Sequence, residues 1–440
     1  MSMQSPLPDP ATEIAPTGTI STSGPTPGDP PASPPPTKST LPALLLSALM
    51  LFATYAGLIA ILLPLQVLKI SNGDDVAKVA NLGIVMSVSF IFTLFAQPIV
   101  GAFSDRTRSR FGRRTTWMLF GAFIAGIMLL GMGSINDLLW LTIFWVIVQV
   151  ALNAVQGPMT AVIPDRFPRD KRGGASAIMG VGMQIGGLLG VMLASAFAAN
   201  FGVGYAVFGV GIMVITVLFA LLNKDWSSKE AAVDSWSWSN FFKGFWINPK
   251  KNPDFFWAFT ARFLLMLGYF TIVSYQFYLL TDYIKVPLAD AAGAVLTLTV
   301  IGFVPTIIAI ALSGWWSDKI KRRKVFIYVA SAVMLVGFTF PIFMPNMTGM
   351  IIMTIINGVG FGIYMSVDTA LMTEVLPGGG DAAAKDLGIL NIATNIPQAL
   401  SPVVAALVIL VLGGYSMLFV FAMIFVVIAA FAVAPIKAVR

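Results

Sequence analysis

Residues 101–114 read GAFSDRTRSRFGRR, and this basic loop lies between two long apolar stretches. A shortened copy, GWWSDKIKRRK, occupies residues 314–324 in the other half of the chain. Asp318 follows Asp105 by 213 positions, and beyond the shorter copy the offset between matching residues falls to 209. A chance similarity would not follow its own four-residue insertion in this way. The sequence therefore predicts two related halves.

The composition predicts that most of the chain lies in a membrane. Hydrophobic residues make up 57% of it and charged residues 11%, and the mean hydropathy is +0.85. Apolar stretches of about 20 residues are long enough to cross the hydrocarbon core as helices. They start near residues 42, 77, 115, 138, 174, 203, 255, 289, 325, 350, 386 and 416. The predicted fold class is therefore an all-α membrane protein with twelve transmembrane helices in two pseudo-symmetric six-helix bundles.

The distribution of basic residues predicts the orientation of the chain. Lys and Arg are enriched in short cytoplasmic loops, and the two tails with every second loop hold 23 of the 27 Lys and Arg residues. The exceptions are Lys69, Lys78 and Lys285, which are predicted outside, and Arg262, which falls within a span. We expect both termini in the cytoplasm and a multi-pass location in the cell membrane. The net charge of +7 then reflects topology and contact with anionic lipid rather than nucleic acid.

The same pattern divides the chain into four segments. Residues 1–40 contain eleven prolines among Ser, Thr and Gly, which predicts a disordered cytoplasmic tail. Residues 41–222 predict an N-terminal six-helix bundle, and residues 255–440 predict a C-terminal one. The cytoplasmic linker at 223–254 carries aromatic residues at helical spacing. They favour a helix that lies in the headgroup layer over a groove for a partner.

Missing residue types narrow the chemistry. The sequence has no His and no Cys, which excludes disulfides, thiol catalysis and imidazole ligands or proton relays. It has no Gly-rich loop ending in Gly-Lys-Ser or Gly-Lys-Thr, so nothing indicates ATP hydrolysis. It also has no clustered intramembrane carboxylates and no metal-ligand spacing. We therefore expect that the protein is not an enzyme and that it uses no cofactor and no metal.

Three segments form motifs that occur in matching order in one family. The first is the loop at 101–114, and the second is Val-Gln-Gly-Pro at 155–158, preceded by Asn153. The third is Gly-x-Leu-Asn at 388–391, followed by Ile-Pro-Gln at 396–398. Together they resemble sucrose transporters and the wider glycoside-pentoside-hexuronide:cation symporters of the major facilitator superfamily. The resemblance implies a secondary transporter whose first, fourth, seventh and tenth helices line a central cavity.

A charge pair is predicted in the second half of the chain. The resemblance implies a carboxylate and an arginine on the fourth helix, but Gln149 and Thr160 occupy those positions. Coupling to protons would therefore need another acid. Arg262 and Asp368 lie inside the seventh and tenth spans at similar depth, where an unpaired charge is costly. We expect either a pair in which Asp368 titrates during transport or a permanent ion pair between the two helices.

Charged residues in and near the repeated loops predict a cytoplasmic gate. In the family that the motifs resemble, acids and arginines at these positions clasp neighbouring helix ends in one conformational state. The residues assigned to the gate are Asp105, Arg106, Arg113 and Arg114 with Asp318, Arg322 and Arg323, and the symmetric pairs Asp165 with Arg172 and Glu374 with Lys385. The alternative is that the charges only set topology, which we prefer for Arg108 and Arg110.

Polar side chains within the spans predict where a solute binds. The candidates are Tyr55, Asn153, Gln156, Tyr269, Tyr275, Gln276, Asn357, Tyr364, Asn391, Asn395 and Gln398. Hydroxyl and amide groups suit a sugar, and aromatic rings can stack on its apolar faces. We favour Asn153, Gln156, Asn391 and Gln398 because they fall in the family motifs. The alternative for each is a hydrogen bond that only joins two helices.

These patterns favour one function over two others. The leading prediction is a monomeric secondary active transporter that moves a small polar solute, with a sugar or glycoside favoured, by alternating access in the lipid bilayer. The resemblance implies coupling to a cation, either a proton or sodium. Efflux of drugs or metabolites by the same fold is the alternative, because Met and Phe are abundant. A sensor that transports nothing is the remote alternative.

Overall fold

The computed structural model describes residues 34–168, 170–228, 250–320, 322–375 and 383–437, except for the side chains of residues 97, 98, 318, 373 and 383–393. Most of the predicted disordered tail and most of the predicted headgroup-layer helix lie outside these described residues. The described chain folds into twelve helices long and apolar enough to cross a membrane. The all-α, twelve-span prediction is therefore confirmed.

The twelve helices alternate in direction through the bundle. They are α1 Thr40–Ile70, α2 Asp75–Arg106, α3 Arg113–Met132, α4 Leu138–Arg166, α5 Arg172–Ala196, α6 Phe201–Leu222, α7 Pro253–Ser274, α8 Leu288–Ile320, α9 Arg323–Phe343, α10 Met347–Val375, α11 Ala383–Leu412 and α12 Ser416–Val433. Each begins within three residues of its predicted start. Hydrophobic length alone was enough to locate the helices.

The two halves use the same packing scheme. In the N half, α1 packs against α5 and α6, α4 packs against α2 and α3, and α3 also packs against α6. In the C half, α7 packs against α11 and α12, α10 packs against α8 and α9, and α9 also packs against α12. The halves meet where α2 contacts α11 and where α5 contacts α8. Exchanging the halves reproduces every one of these contacts, as expected for two pseudo-symmetric bundles.

The bundle has two distinct faces. The basic face is formed by the start of α1, the end of α12 and the connections after α2, α4, α6, α8 and α10. The opposite face is formed by the connections after the other helices. Side-chain caps begin four helices at the opposite face. Asp74 accepts hydrogen bonds from the first turn of α2, Asp137 accepts one from α4, Asn200 accepts one from α6, and Asn346 accepts one from α10.

Close packing and local irregularity occur in different helices. At Gly190 of α5, an added Cβ would overlap the Ala53 backbone in α1, so only glycine permits this approach. Further along α1, Leu58–Leu62 form a π-helical turn. After α7, the chain continues through Gln276–Tyr278 into a second π-helical turn at Leu279–Tyr283. Each half thus has a π-helical turn on the way to the opposite face, within α1 in the N half and just after α7 in the C half.

Candidate functional site

A central cavity of about 430 Å³ lies between the halves, midway along the helices. Its polar lining residues are Tyr55, Thr93, Gln149, Asn153, Gln156, Ser274, Thr394, Asn395, Gln398 and Ser401. Phe52, Phe90 and Phe270 add aromatic surface. None of the described residues that line the cavity carries a charge. Hydroxyls and amides beside rings suit an uncharged polar molecule with some apolar surface.

The helices that form the cavity walls differ in part from those that the resemblance implied. α1, α4 and α7 contribute as implied, and α2, α5 and α11 contribute as well. None of the described lining residues comes from α10. The Tyr269 ring of α7 stacks on the Phe361 ring of α10 with their centroids 4.1 Å apart. This stack occupies the space between α7 and α10.

Asn153 is the centre of the polar wall in the N half. Its Nδ2 donates to the Tyr55 hydroxyl at 3.2 Å and to the Gln149 carbonyl at 2.8 Å. Both of its amide hydrogens are therefore used within the protein. The Nε2 of Gln149 is buried without a hydrogen-bond partner among the described residues. We did not predict Gln149 as a solute contact, although its place within a polar stretch of the fourth span was the signal for it.

Arg262 and Asp368 lie together just behind the cavity wall. Arg262 Nη1 is 3.0 Å from Asp368 Oδ2, and both side chains are almost inaccessible to solvent. Tyr364 donates its hydroxyl proton to Asp368 Oδ1 at 3.0 Å. Arg262 Nη2 donates to the Thr394 hydroxyl at 2.8 Å. Because Thr394 also lines the cavity, its side chain alone separates the charge pair from the cavity space.

The remaining predicted solute contacts lie in other places. Tyr275 is buried near the opposite face, and Gln276 is half-buried beside it. Asn357 is buried against Gly337 of α9, with no partner for its side-chain amide among the described residues. The side chain of Asn391 lies outside the described residues. Of the eleven predicted contacts, Tyr55, Asn153, Gln156, Asn395 and Gln398 line the central cavity.

Polar contacts join the two halves at the opposite face. Lys78 of α2 places its Nζ 2.9 Å from Asp282 Oδ1 and 2.6 Å from Asp75 Oδ1. The Tyr415 hydroxyl donates to the other oxygen of Asp282 at 2.5 Å. We call these four residues the outer cluster. The sequence did not predict this cluster, because Lys78 and Asp282 are 204 positions apart.

Two tyrosines strengthen this connection. The Tyr275 hydroxyl donates to the Val79 carbonyl at 2.7 Å, and the Tyr278 hydroxyl donates to the Pro64 carbonyl at 2.9 Å. Each bond runs from the C half to the backbone of the N half. The outer cluster and these two bonds therefore hold the halves together on one side of the cavity.

The ion pairs of the basic face have a different pattern. Arg114 contacts Asp105 at 2.6 Å and Asp165 at 2.8 Å, and Arg113 contacts Asp165 at 2.9 Å. These pairs tie the ends of α2, α3 and α4, all within the N half. Arg106 donates to the Ala102 carbonyl in its own helix.

The C half repeats part of this arrangement. Arg323 contacts Glu374 at 2.9 Å, and these residues match Arg114 and Asp165 at the offset of 209. Arg322 is exposed. The side chains of Asp318 and Lys385 lie outside the described residues, so the expected pairing of Glu374 with Lys385 is not seen here.

Arg172 has a different partner from the one expected. Its guanidinium donates to the Phe167 carbonyl at 3.0 Å and to the Pro164 carbonyl at 2.9 Å rather than to Asp165. The last carbonyls of a helix lack partners within that helix. Arg172 satisfies this need at the end of α4, which leaves Asp165 to the arginines of α3.

A second contact that the sequence did not predict is a buried ion pair between the end of α4 and the chain just after α6. Arg166 Nη2 lies 3.3 Å from Asp225 Oδ1, and the Asp225 side chain is 2% exposed. Burial raises the pKa of the Asp225 carboxyl, although Arg166 opposes the shift. Ser228 then donates its hydroxyl to the Thr107 carbonyl at 2.7 Å. The chain after α6 is thus attached to the loop between α2 and α3.

Comparison with known proteins gives the family. The family model of the Major Facilitator Superfamily matches residues 44–384 and 288–438. The sucrose transport protein SUC3 of Arabidopsis thaliana is 30% identical over 120 residues, which are 22% of this chain and 20% of that protein. The multidrug resistance protein MdtG of Yersinia enterocolitica is 28% identical over 192 residues, which are 40% of this chain and 42% of that protein.

Solved structures agree with the fold. The crystal structure of a D-xylose-proton symporter is 16% identical, covers 90% of this chain and 97% of its own, and superposes with a TM-score of 0.66. This chain spans about a fifth of the sucrose transport relative that it matches. The matched proteins are transporters rather than enzymes, which fits twelve spans around a polar cavity. The chain belongs to the Major Facilitator Superfamily, a family of multi-pass membrane transporters.

Proposed function

We propose that this protein is a secondary active transporter of an uncharged polar solute of the sugar or glycoside class, driven by a proton. The central cavity carries the proposal, because its described lining combines amides, hydroxyls and aromatic rings without a charge. A sugar needs such groups, whereas a carboxylate or an ammonium ion would need a counter-charge. The similarity to a sucrose transport protein supports the same solute class.

The proposed coupling runs through Thr394. When Asp368 is ionised, it attracts Arg262 at 3.0 Å. A proton on Asp368 would remove that attraction and leave the Arg262 guanidinium bonded to Thr394, at the cavity wall. A solute that bonds to Thr394 would then favour the protonated state. By linkage, the proton would favour solute binding equally.

The outer cluster and the two tyrosine bonds support an assignment of the conformational state. We infer that the structure is closed at the opposite face and that transport requires these contacts to break. The basic residues favour the cytoplasmic side for the basic face and for both termini, in the cell membrane. We also infer a monomer, since a single chain provides the whole described cavity lining.

Counterflow in proteoliposomes tests the solute class. Vesicles loaded with unlabelled disaccharides, monosaccharides or glycosides should accumulate the matching labelled sugar, and an imposed inward proton gradient should increase uptake. A sodium gradient in place of the proton gradient should have no effect. Counterflow of lipophilic cations without counterflow of any sugar would overturn the proposal in favour of efflux.

Two variants test the coupling. Asp368→Asn should abolish uphill accumulation but keep solute exchange, because an asparagine cannot cycle a proton. Asp290→Asn, which changes an exposed acid at the start of α8, is the control and should behave as wild type. Thr394→Val should weaken proton-driven uptake. Thr93→Val makes the same change elsewhere on the wall of the central cavity and serves as its matched control, which should keep proton-driven uptake. Unchanged accumulation by Asp368→Asn would exclude this acid as the coupling site.

Efflux of drugs remains the second candidate, and one observation favours it. Phe52, Phe90 and Phe270 line the cavity together with Met86 and Met183, and flexible apolar walls accept varied ligands. The matched protein of Yersinia enterocolitica is named for multidrug resistance. The lack of any acid among the described lining residues disfavours cationic drugs.

A further inference from the structure

A second cavity lies on the outer surface of the C half. It measures about 870 Å³ and opens where α8 and α9, each packed along α10, diverge from one another. Its walls are almost wholly aliphatic and aromatic, and they include Ile308 and Leu312 of α8, Val329 of α9 and Ile363 of α10. We call this cavity the C-half groove. Its position on the outside of the bundle directs it toward lipid rather than toward the central cavity.

The end of the groove near the basic face has a different character. Arg322 lines it there, together with the Trp316 and Phe326 rings, whose centroids are 6.1 Å apart. The Arg322 side chain is exposed and forms no ion pair with any side chain that the structure describes. Arg322 is also the N-cap residue of α9, and its side chain makes no capping hydrogen bond. A cation and the positive end of a helix therefore lie together at the mouth of an apolar groove.

The matching place in the N half is built differently. Phe103 and Trp117 occupy the positions of Trp316 and Phe326, and their rings stack nearly parallel, at 10°, instead of edge to face. Arg113 occupies the position of Arg322, but it contacts Asp165 at 2.9 Å. The pseudo-symmetry is thus broken at this point: of these two matching arginines, Arg322 alone forms no ion pair with a side chain that the structure describes.

We propose that the C-half groove binds one anionic glycerophospholipid, with an acyl chain between α8 and α9 and the phosphate at Arg322. The apolar walls match the chain, and the guanidinium matches a phosphate, to which it can donate two parallel hydrogen bonds. Trp316 lies near the end of α8 at the basic face, and tryptophan is enriched at the depth of the lipid headgroups. Zwitterionic lipid offers the same chains without the net charge, so the charge should decide which lipid is retained. This site is independent of the solute that the central cavity takes.

Native mass spectrometry of the purified full-length protein tests the site. The protein is mixed with equal amounts of phosphatidylglycerol and phosphatidylcholine, and the lipid retained after detergent removal is counted. Wild type should retain one phosphatidylglycerol preferentially. Arg322→Gln should lower its occupancy about fivefold, which is the expected effect of one basic residue at the membrane surface. Arg108→Gln removes an exposed arginine from the same face of the N half and should leave the occupancy unchanged.

A second pair of variants separates the acyl-chain site from the charge. Val329→Trp should fill the groove and lower retention of phosphatidylglycerol without removing a charge, whereas Val336→Trp adds the same bulk to an exposed position of α9 that does not line the groove. Glycerol 3-phosphate should not displace the lipid, because it lacks the chains. Equal retention of the two lipids by wild type, or unchanged phosphatidylglycerol retention by Arg322→Gln, would overturn the proposal. Displacement by glycerol 3-phosphate would contradict the part assigned to the groove.

Discussion

The two faces of the bundle use charged and polar residues in different ways. At the opposite face, Lys78 and Asp282 connect the N half to the C half. At the basic face, the pairs of Arg114 with Asp165 and of Arg323 with Glu374 each stay within one half. Contacts between halves must break when the cavity changes sides, whereas contacts within a half can persist. We therefore expect contacts between the halves to control the conformational equilibrium and contacts within a half to control the stability of that half.

Asp282→Asn should have the largest effect on closure of the opposite face. It removes the inter-half partner of Lys78, whose side chain is only 6% exposed. Loss of one member of a partly buried pair costs about 2 kcal/mol, a change of about thirtyfold in the ratio of open to closed molecules. The chain has no Cys, so Val273→Cys provides a single reporter on the cavity wall. Its alkylation by an impermeant maleimide added at the opposite face should rise about thirtyfold.

The control for this measurement is Asp137→Asn at the same face. Asp137 caps α4 within the N half, where its carboxylate accepts a hydrogen bond from Trp140 N, and it makes no contact across the halves with any residue that the structure describes. Its loss should leave the alkylation rate near that of the Val273→Cys background. If Asp282→Asn has no more effect than this control, the outer cluster does not hold the opposite face closed.

Arg114→Gln should have the next largest effect, and this effect should be on thermal stability rather than on closure of the opposite face. It removes charge-assisted contacts with Asp105 and Asp165, at a cost of about 1.5 kcal/mol. The melting temperature in detergent should fall by about 4 °C. Alkylation of the Val273→Cys reporter from the opposite face should stay unchanged, because no contact between halves is lost.

Arg108→Gln, an exposed change in the same loop, controls for the loss of charge and should not alter the melting temperature. A large rise in reporter alkylation by Arg114→Gln without a loss of thermal stability would reverse the roles that we assign to the two faces.

Tyr275→Phe should weaken closure of the opposite face by a smaller amount. It deletes the single hydrogen bond from Tyr275 to the Val79 carbonyl and keeps the ring. The net loss is about 1 kcal/mol, so alkylation of the reporter should rise about fivefold. Tyr205→Phe removes a buried hydroxyl that has no partner among the described residues and should change nothing. Equal rates in the two variants would mean that the Tyr275 bond does not contribute to closure.

The smallest effect is a pH dependence at the basic face. Burial raises the pKa of Asp225, so the folded state favours the protonated carboxyl. Its stabilising contribution is present below the ordinary pKa of an aspartate and is lost as the pH rises through the raised value. The melting temperature of wild type minus that of Asp225→Asn should therefore fall by about 2 °C as the pH is raised across this window. A difference that is flat or that rises with pH would contradict the assignment.

The sequence predicted the helices well and the contacts between halves poorly. Helix positions depend on local hydrophobic length, and the cavity amides were found because polar residues within a span are costly unless they have a role. Arg262 and Asp368 stood out for the same reason. Lys78 and Asp282 did not, because each lies near a helix end where charge is common. Their pairing depends on how the two halves pack against each other, and no pattern in the sequence around either residue predicts it.

The gate residues give a similar lesson on a smaller scale. The repeat identified Arg114 and Arg323, Asp165 and Glu374 as equivalent, and the structure pairs them in the same way. Arg172 was predicted to pair with Asp165 because the repeat places these two residues at the end of the fourth helix as the counterparts of Glu374 and Lys385. The unpaired carbonyls at the end of α4 compete for its guanidinium, and this backbone demand cannot be read from charge alone.

The π-helical turns at Leu58–Leu62 and Leu279–Tyr283 imply that a one-residue deletion is tolerated better inside these turns than elsewhere in the helices. A π turn holds one residue more than an α turn at the same place. Removing a single residue inside it would restore the ordinary helical register and keep the residues on either side facing their present neighbours. A deletion elsewhere in α1 would rotate everything beyond it by about 100°. Each half thus carries one extra residue, within α1 in the N half and just after α7 in the C half, at a place where shortening the chain would be least harmful.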